Sequence, residues 1–142
     1  TTANAQNVPN DTKQAVVSYA IQQMNEELVR APEDARLHLQ FATFYRAIGD
    51  FPNAKREAEI ATSLAPTKQA MYIEQGVIAW QGGDKAGALE VFEKAYALDT
   101  RYTGAAAYVA AGHIITGDVP TAKAILQEAF GTTTVDEGVL SP

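Results

Sequence analysis

Residues 80–88 read Trp80-Gln81-Gly82-Gly83-Asp84-Lys85-Ala86-Gly87-Ala88, and the pair Gly83-Asp84 inside them decides the fold. The same pair stands at Gly49-Asp50 and at Gly117-Asp118, 34 residues away on either side. Other positions keep that step. Ala54, Ala88 and Ala122 match, as do Ala61, Ala95 and Ala129. Ala42, Gly76 and Ala110 form a small-residue column, and Ala58, Phe92 and Leu126 an apolar one. Leu64 and Leu98 make a shorter pair. Several independent columns in one register point to an internal repeat and not to coincidence.

The residue types say what each unit contains. Glycine takes positive φ at the end of a helix without steric cost. Aspartate in the next position caps the following helix. Small residues at fixed spacing let paired helices approach closely. The spacing predicts helices over 35–47, 52–64, 69–81, 86–98, 103–115 and 120–130, and leaves no room for a strand.

A further helix is expected over 12–31. Val17, Ile21, Met24 and Leu28 make one apolar stripe along it. Asp11 is its expected N-cap, with Gln14 as a weak capping-box partner. Counting backwards by 34 residues makes this helix the second half of a degenerate repeat. Residues 1–10 read as a flexible arm, 11–131 as the repeat domain and 132–142 as a tail.

Composition narrows the function. The chain of 142 residues is 46% hydrophobic and 20% charged, which describes a globular protein. Its formal net charge of -6, with basic residues scattered, argues against a nucleic-acid partner. No apolar run approaches the roughly 18 residues that cross a bilayer, so no membrane insertion of this segment is expected. Without cysteine there is no disulfide, thiolate metal site or thiol nucleophile. The start, Thr1-Thr2-Ala3-Asn4, lacks an initiator Met, so the chain is expected to be cut from a longer protein.

The period and its residues resemble the tetratricopeptide repeat (TPR). Units run over 35–68, 69–102 and 103–131. The family's small residue eight positions into the unit is matched by Ala42, Gly76 and Ala110, and its alanine at position 20 by Ala54, Ala88 and Ala122. Ala58 departs from the bulky residue at position 24, and the family's proline at 32 is kept only as Pro66. The resemblance implies an all-α fold, a right-handed superhelix of antiparallel helix pairs. It also implies a non-catalytic scaffold that holds a protein or peptide in its concave groove, with no cofactor and no metal.

By the same resemblance, the groove is lined by fixed positions of each first helix. In the first unit these are Arg36, Leu39, Thr43, Arg46 and Ala47. In the second they are Ala70, Ile73, Val77, Trp80 and Gln81, and in the third Gly104, Ala107, Ala111, Ile114 and Ile115. Some TPR proteins clamp an acidic chain end with Lys and Asn at two of these positions. Leu39, Ile73, Ala107 and Thr43, Val77, Ala111 stand there instead, so that clamp is not expected. The expected groove is apolar, with Trp80 as its largest surface and a hot-spot candidate. Its occupant is a foreign segment, the chain's own arm or parent domain, or a second copy.

Catalytic readings are weaker. His38 and His113 fall at packing positions and lack a ligand constellation. Gly82–Gly87 lacks the Gly-Lys-Ser/Thr end of a phosphate loop and follows no strand. Glu26 with Glu27, Glu57 with Glu59, and Asp136 with Glu137 are expected on solvated faces. Residues 103–115 carry no Asp, Glu, Lys or Arg, so this helix expects cover on both sides. The array therefore looks uncapped at its C-terminal end, which is a candidate self-association surface.

A narrower likeness rests on the leading helix, Ala31-Pro32-Glu33-Asp34-Ala35-Arg36, Leu64-Ala65-Pro66-Thr67-Lys68-Gln69, Ala95-Tyr96-Ala97-Leu98-Asp99 and Phe130-Gly131-Thr132. That order resembles the C-terminal repeat region of bacterial O-antigen ligase-like membrane proteins. It implies an accessory domain of a larger polysaccharide-assembly protein.

Overall fold

A computed structural model describes residues 8–131. Residues 1–7 of the expected 1–10 arm, and the tail at 132–142, lie outside the described residues. Seven helices follow one another: α1 (Asn10–Arg30), α2 (Ala35–Ala47), α3 (Phe51–Leu64), α4 (Gln69–Gln81), α5 (Lys85–Leu98), α6 (Thr103–Ile115) and α7 (Val119–Phe130). No strand occurs among the described residues. α2 with α3, α4 with α5 and α6 with α7 form the pairs, and successive pairs stack through α3–α4 and α5–α6. The architecture is an all-α superhelix of helix pairs.

The three Gly-Asp turns share one construction. Gly49, Gly83 and Gly117 take φ of 78°, 91° and 91°. The following amides close the same loop each time, Asp50 to the Tyr45 carbonyl, Asp84 to Ala79 and Asp118 to His113, all at 2.8 Å. The glycine amides donate one residue further on, to Arg46, Trp80 and Ile114. This is the Schellman closure of the first helix. The same aspartates then accept from Asn53 N, Gly87 N and Thr121 N, capping the second helix. One residue thus ends one helix and starts the next. Each second helix begins directly after its aspartate, one residue earlier than the spacing predicts.

The start of α1 differs from expectation. Pro9 is its N-cap and no side chain caps it. Lys13 N donates to the Pro9 carbonyl at 3.0 Å, which places Asp11 inside the first turn. There its charge complements the helix dipole instead of capping. No residue of α1 is fully buried. Ile21, Met24 and Leu28 rest on a cluster of Phe41, Ala42, Tyr45, Ala54, Ala58 and Ile78.

The small-residue column explains the helix contacts. Gly76 faces Phe92: a Cβ on Gly76 would lie 2.4 Å from the ring. Ala110 packs with Leu126 in the third unit, and Ala42 with Ala58 in the first. The residue is smallest where its opposite number is largest. Ala58, the departure from the family pattern, is accommodated because Phe41, Tyr45 and the α1 side chains fill the space.

One acidic residue contradicts its sequence reading. Glu57 was expected on a solvated face, yet it is buried in α3. Its Oε2 lies 2.6 Å from His38 Nδ1, and His38 Nε2 lies 2.9 Å from the Pro32 carbonyl. Arg56 Nη2 donates to the other carboxylate oxygen at 3.1 Å. The bridge ties α2 to α3 and to the turn after α1, which satisfies polar groups that burial would otherwise penalise. The apolar α6 also finds its cover: α5 and α7 pack on it, and Ala105–Ala107 and Val109–Gly112 are buried.

Candidate functional site

The expected groove positions divide into a floor and a rim. Ile73, Val77, Ala107 and Ala111 are buried. Leu39 is half-buried; Arg36, Thr43, Ala47, Gln81 and Ile114 are exposed. The Thr43 hydroxyl donates to the Leu39 carbonyl at 3.0 Å, within its own helix. Trp80 is half-buried against Val77, Ala88, Phe92 and Val109. Its indole therefore gives part of its surface to the core, and only the remainder is exposed.

The open space on this face lies beside Leu39 and Ile73 and away from Trp80. A cavity of about 640 Å³ is lined by Leu39, Gln69, Ala70, Ile73, Glu74, Tyr102 and Tyr108. Leu39 comes from α2, Ile73 and Glu74 from α4, and Tyr108 from α6, so one first helix of every unit contributes. Tyr102 comes from the turn before α6. Its ring lies over Gly104, where a Cβ would meet the phenol at 2.7 Å. Tyr108 is held from behind by Phe92, with ring centroids 5.2 Å apart. Gln69 Nε2 donates to the carbonyls of Ala95 and Asp99, at 2.8 and 2.9 Å, and fixes the start of α4 on the end of α5.

Polar groups gather along one wall. Arg46 Nη1 donates to Gln81 Oε1 at 3.2 Å, across the first two units. Arg46 Nη2 lies 3.9 Å from Glu74 Oε2, too far for a hydrogen bond. Glu74 Oε2 and Arg46 Nε are enclosed and have no hydrogen-bond partner among the described residues. Burial pushes the Tyr108 phenol above its ordinary pKa, and the charge of Glu74 and the neighbouring Tyr102 push it the same way.

Of the groove positions expected from the sequence, Leu39, Ala70 and Ile73 line this cavity; Gln69, Glu74, Tyr102 and Tyr108 line it without having been among them. Glu74 and Tyr108 occupy the same repeat column, one place after Ile73 and Ala107. That column is where a signal existed. Tyr102 closes the second unit and had none.

A second cleft, of about 790 Å³, lies at the edge of the array. Ala31–Arg36, Ala65, Lys68 and Met71 line it. Arg36 belongs here and not to the cavity between the first helices. His113 sits between two carboxylates, Glu93 at 3.4 Å and Asp118 at 3.3 Å, on opposite ring nitrogens. Its Nδ1 has no hydrogen bond, because the approach to Asp118 is misaligned. Among the described residues no three His, Asp or Glu side chains converge as a metal site would require.

No family model matches the chain. Over 87 residues it is 29% identical to the Hsp70-Hsp90 organizing protein of Triticum aestivum. That alignment covers 61% of this chain and 15% of the length of that relative. Solved structures superpose over more of it. MamA gives a TM-score of 0.71 at 19% identity, covering 84% of this chain and 70% of that one. A MamA fragment from Desulfovibrio magneticus RS-1 gives 0.71 at 15% identity, covering 84% and 68%. PilF of Pseudomonas aeruginosa gives 0.67 at 18% identity, covering 83% and 54%. The 34-residue period, the Gly-Asp closures and these superpositions agree: the chain has the tetratricopeptide-repeat fold.

Proposed function

We propose that this chain is a non-catalytic scaffold that binds a protein or peptide segment on its concave face. The observation that carries the reading is the open cavity to which the first helix of every unit contributes. Concave, largely apolar surfaces with a few polar groups are where partners are held. The TPR fold and the similarity to a protein named as an organizer of two chaperones support it.

A random peptide library selected on the chain tests this. Leu39→Arg places a bulky cation on the cavity wall without touching the core clusters. The expected result is a reproducible set of peptides that bind the wild type and lose binding to Leu39→Arg, with unchanged helical content. Failure to enrich any peptide, or equal binding by the variant, would sink the proposal.

Self-association through the C-terminal end has narrower support, from the exposed Val119 and Phe130. Lys123, Gln127 and Glu128 make much of the remaining outer face of α7 polar. Sedimentation across a concentration range decides it. The relation to O-antigen ligase-like proteins concerns the parent chain, and membrane-spanning helices in its upstream sequence would support it.

A further inference from the structure

We infer that the cavity on the concave face receives a cationic side chain, Lys or Arg, from a bound peptide segment, between Tyr102 and Tyr108 and beside Glu74. This rests on the scaffold reading above and names what the cavity selects.

Charge complementarity carries it. Among the described residues lining the cavity, Glu74 carries the only charged side chain. Its side chain stays 39% exposed, and its enclosed Oε2 accepts no hydrogen bond. The nearest cation, Arg46, directs its hydrogen bond to Gln81 and makes only a long ion pair with Glu74, at 3.9 Å. Arg101, next to Tyr102, is occupied by Asp99 at 3.0 Å. Oε2 is enclosed on the Arg46 side, so it is the other oxygen, Oε1, that keeps acceptor capacity toward the cavity. Burial first, and the Glu74 charge second, raise the Tyr108 phenol above its ordinary pKa.

The rest of the lining suits the stem and face of such a side chain. Leu39, Ala70 and Ile73 offer apolar surface to methylene groups. Tyr102 is half-exposed and Tyr108 is braced by Phe92, and tyrosine faces attract a nearby cation. Gly104 is what allows the Tyr102 ring to lie flat over the start of α6. An acidic or purely apolar anchor would leave Glu74 repelled or unmatched in the same space.

The test uses the peptides that the random library yields. Each is resynthesised with its Lys or Arg replaced by norleucine, and affinities are read by fluorescence anisotropy. On the wild type the replacement is expected to weaken binding about tenfold, the scale of a partly desolvated cation–π contact with an ion pair. On Glu74→Gln, which keeps the shape of the side chain, the difference should shrink to about threefold, the share of the tyrosine faces alone. Gly104→Ala should also shrink the difference, because the Tyr102 ring must swing away while the helix gains a better former. Selected peptides that lack a basic residue, or bind equally well with norleucine, overturn the cation site and leave the scaffold standing. A library that yields no binder overturns both.

Discussion

Gly76→Ala tests the packing that sets the distance between α4 and α5. The new Cβ would sit 2.4 Å from Phe92 Cε1 and 2.5 Å from Cδ1, about 1 Å short of ordinary contact at 3.4 Å. Phe92 is 0% exposed, and its ring packs against Tyr108 with centroids 5.2 Å apart and planes tilted by 30°. The ring has no vacant volume to enter, so the helices must part or the ring must leave its rotamer. Overpacking of this kind costs about 3 kcal/mol. Replacing glycine in a helix interior returns about 1 kcal/mol. The net loss is about 2 kcal/mol, a shift of about 1 M in the urea midpoint for a protein of this size. Far-UV circular dichroism through a urea titration reads it. In a Phe92→Leu background the same substitution should be neutral or stabilising, because the ring atoms it strikes are gone. A midpoint unchanged or raised in the wild-type background would refute the reasoning.

Three further outcomes are expected. Removing either partner of the buried His38–Glu57 bridge should cost about 3 kcal/mol, while the double replacement by apolar residues should cost less than the sum; additive losses in a urea-based double-mutant cycle would contradict the pairing. Gly83→Ala should cost about 1 kcal/mol through conformation alone, since φ is +91° and nothing lies within 4 Å of the new methyl; an undiminished thermal midpoint would refute this. The Thr121 side chain and amide, followed by His113, hold the Asp118 carboxyl below its ordinary 3.8, so its contribution is present above that value and is lost as pH falls through the lower one. A carbon-detected NMR titration of Asp118 giving a midpoint at or above 3.8 would contradict the cap.

The repeat was legible because its strongest constraints are local. A left-handed glycine and a capping aspartate are each demanded by a single turn, so they recur at a fixed step wherever the turn does. Column periodicity likewise reports contacts between helices adjacent in sequence. The His38–Glu57 bridge left no such mark. Its partners are 19 residues apart, and Glu57 stands in a run with Lys55, Arg56 and Glu59 that looks solvated. Only the pairing of α2 with α3 turns it inward. The cavity was half-legible for a related reason. Leu39 and Ile73 sit in columns with a meaning inherited from the family. Tyr102 owes its place to the bareness of Gly104, and a missing side chain is hard to interpret until its neighbour is seen. Pro9 took the capping role from Asp11 because a proline already holds the backbone angle that a cap requires.

Apart from α2 against α4, the substantial contacts run between consecutive helices. Nothing staples one end of the described array to the other. Such a polymer should acquire its structure quickly, since no distant segments have to find each other. Amide exchange should then be slowest in the middle hairpin and fastest toward the outer ones, a gradient along the chain in place of one global value. Drawn out by a force at its ends, it should yield hairpin by hairpin in small steps, each able to re-form when the tension drops.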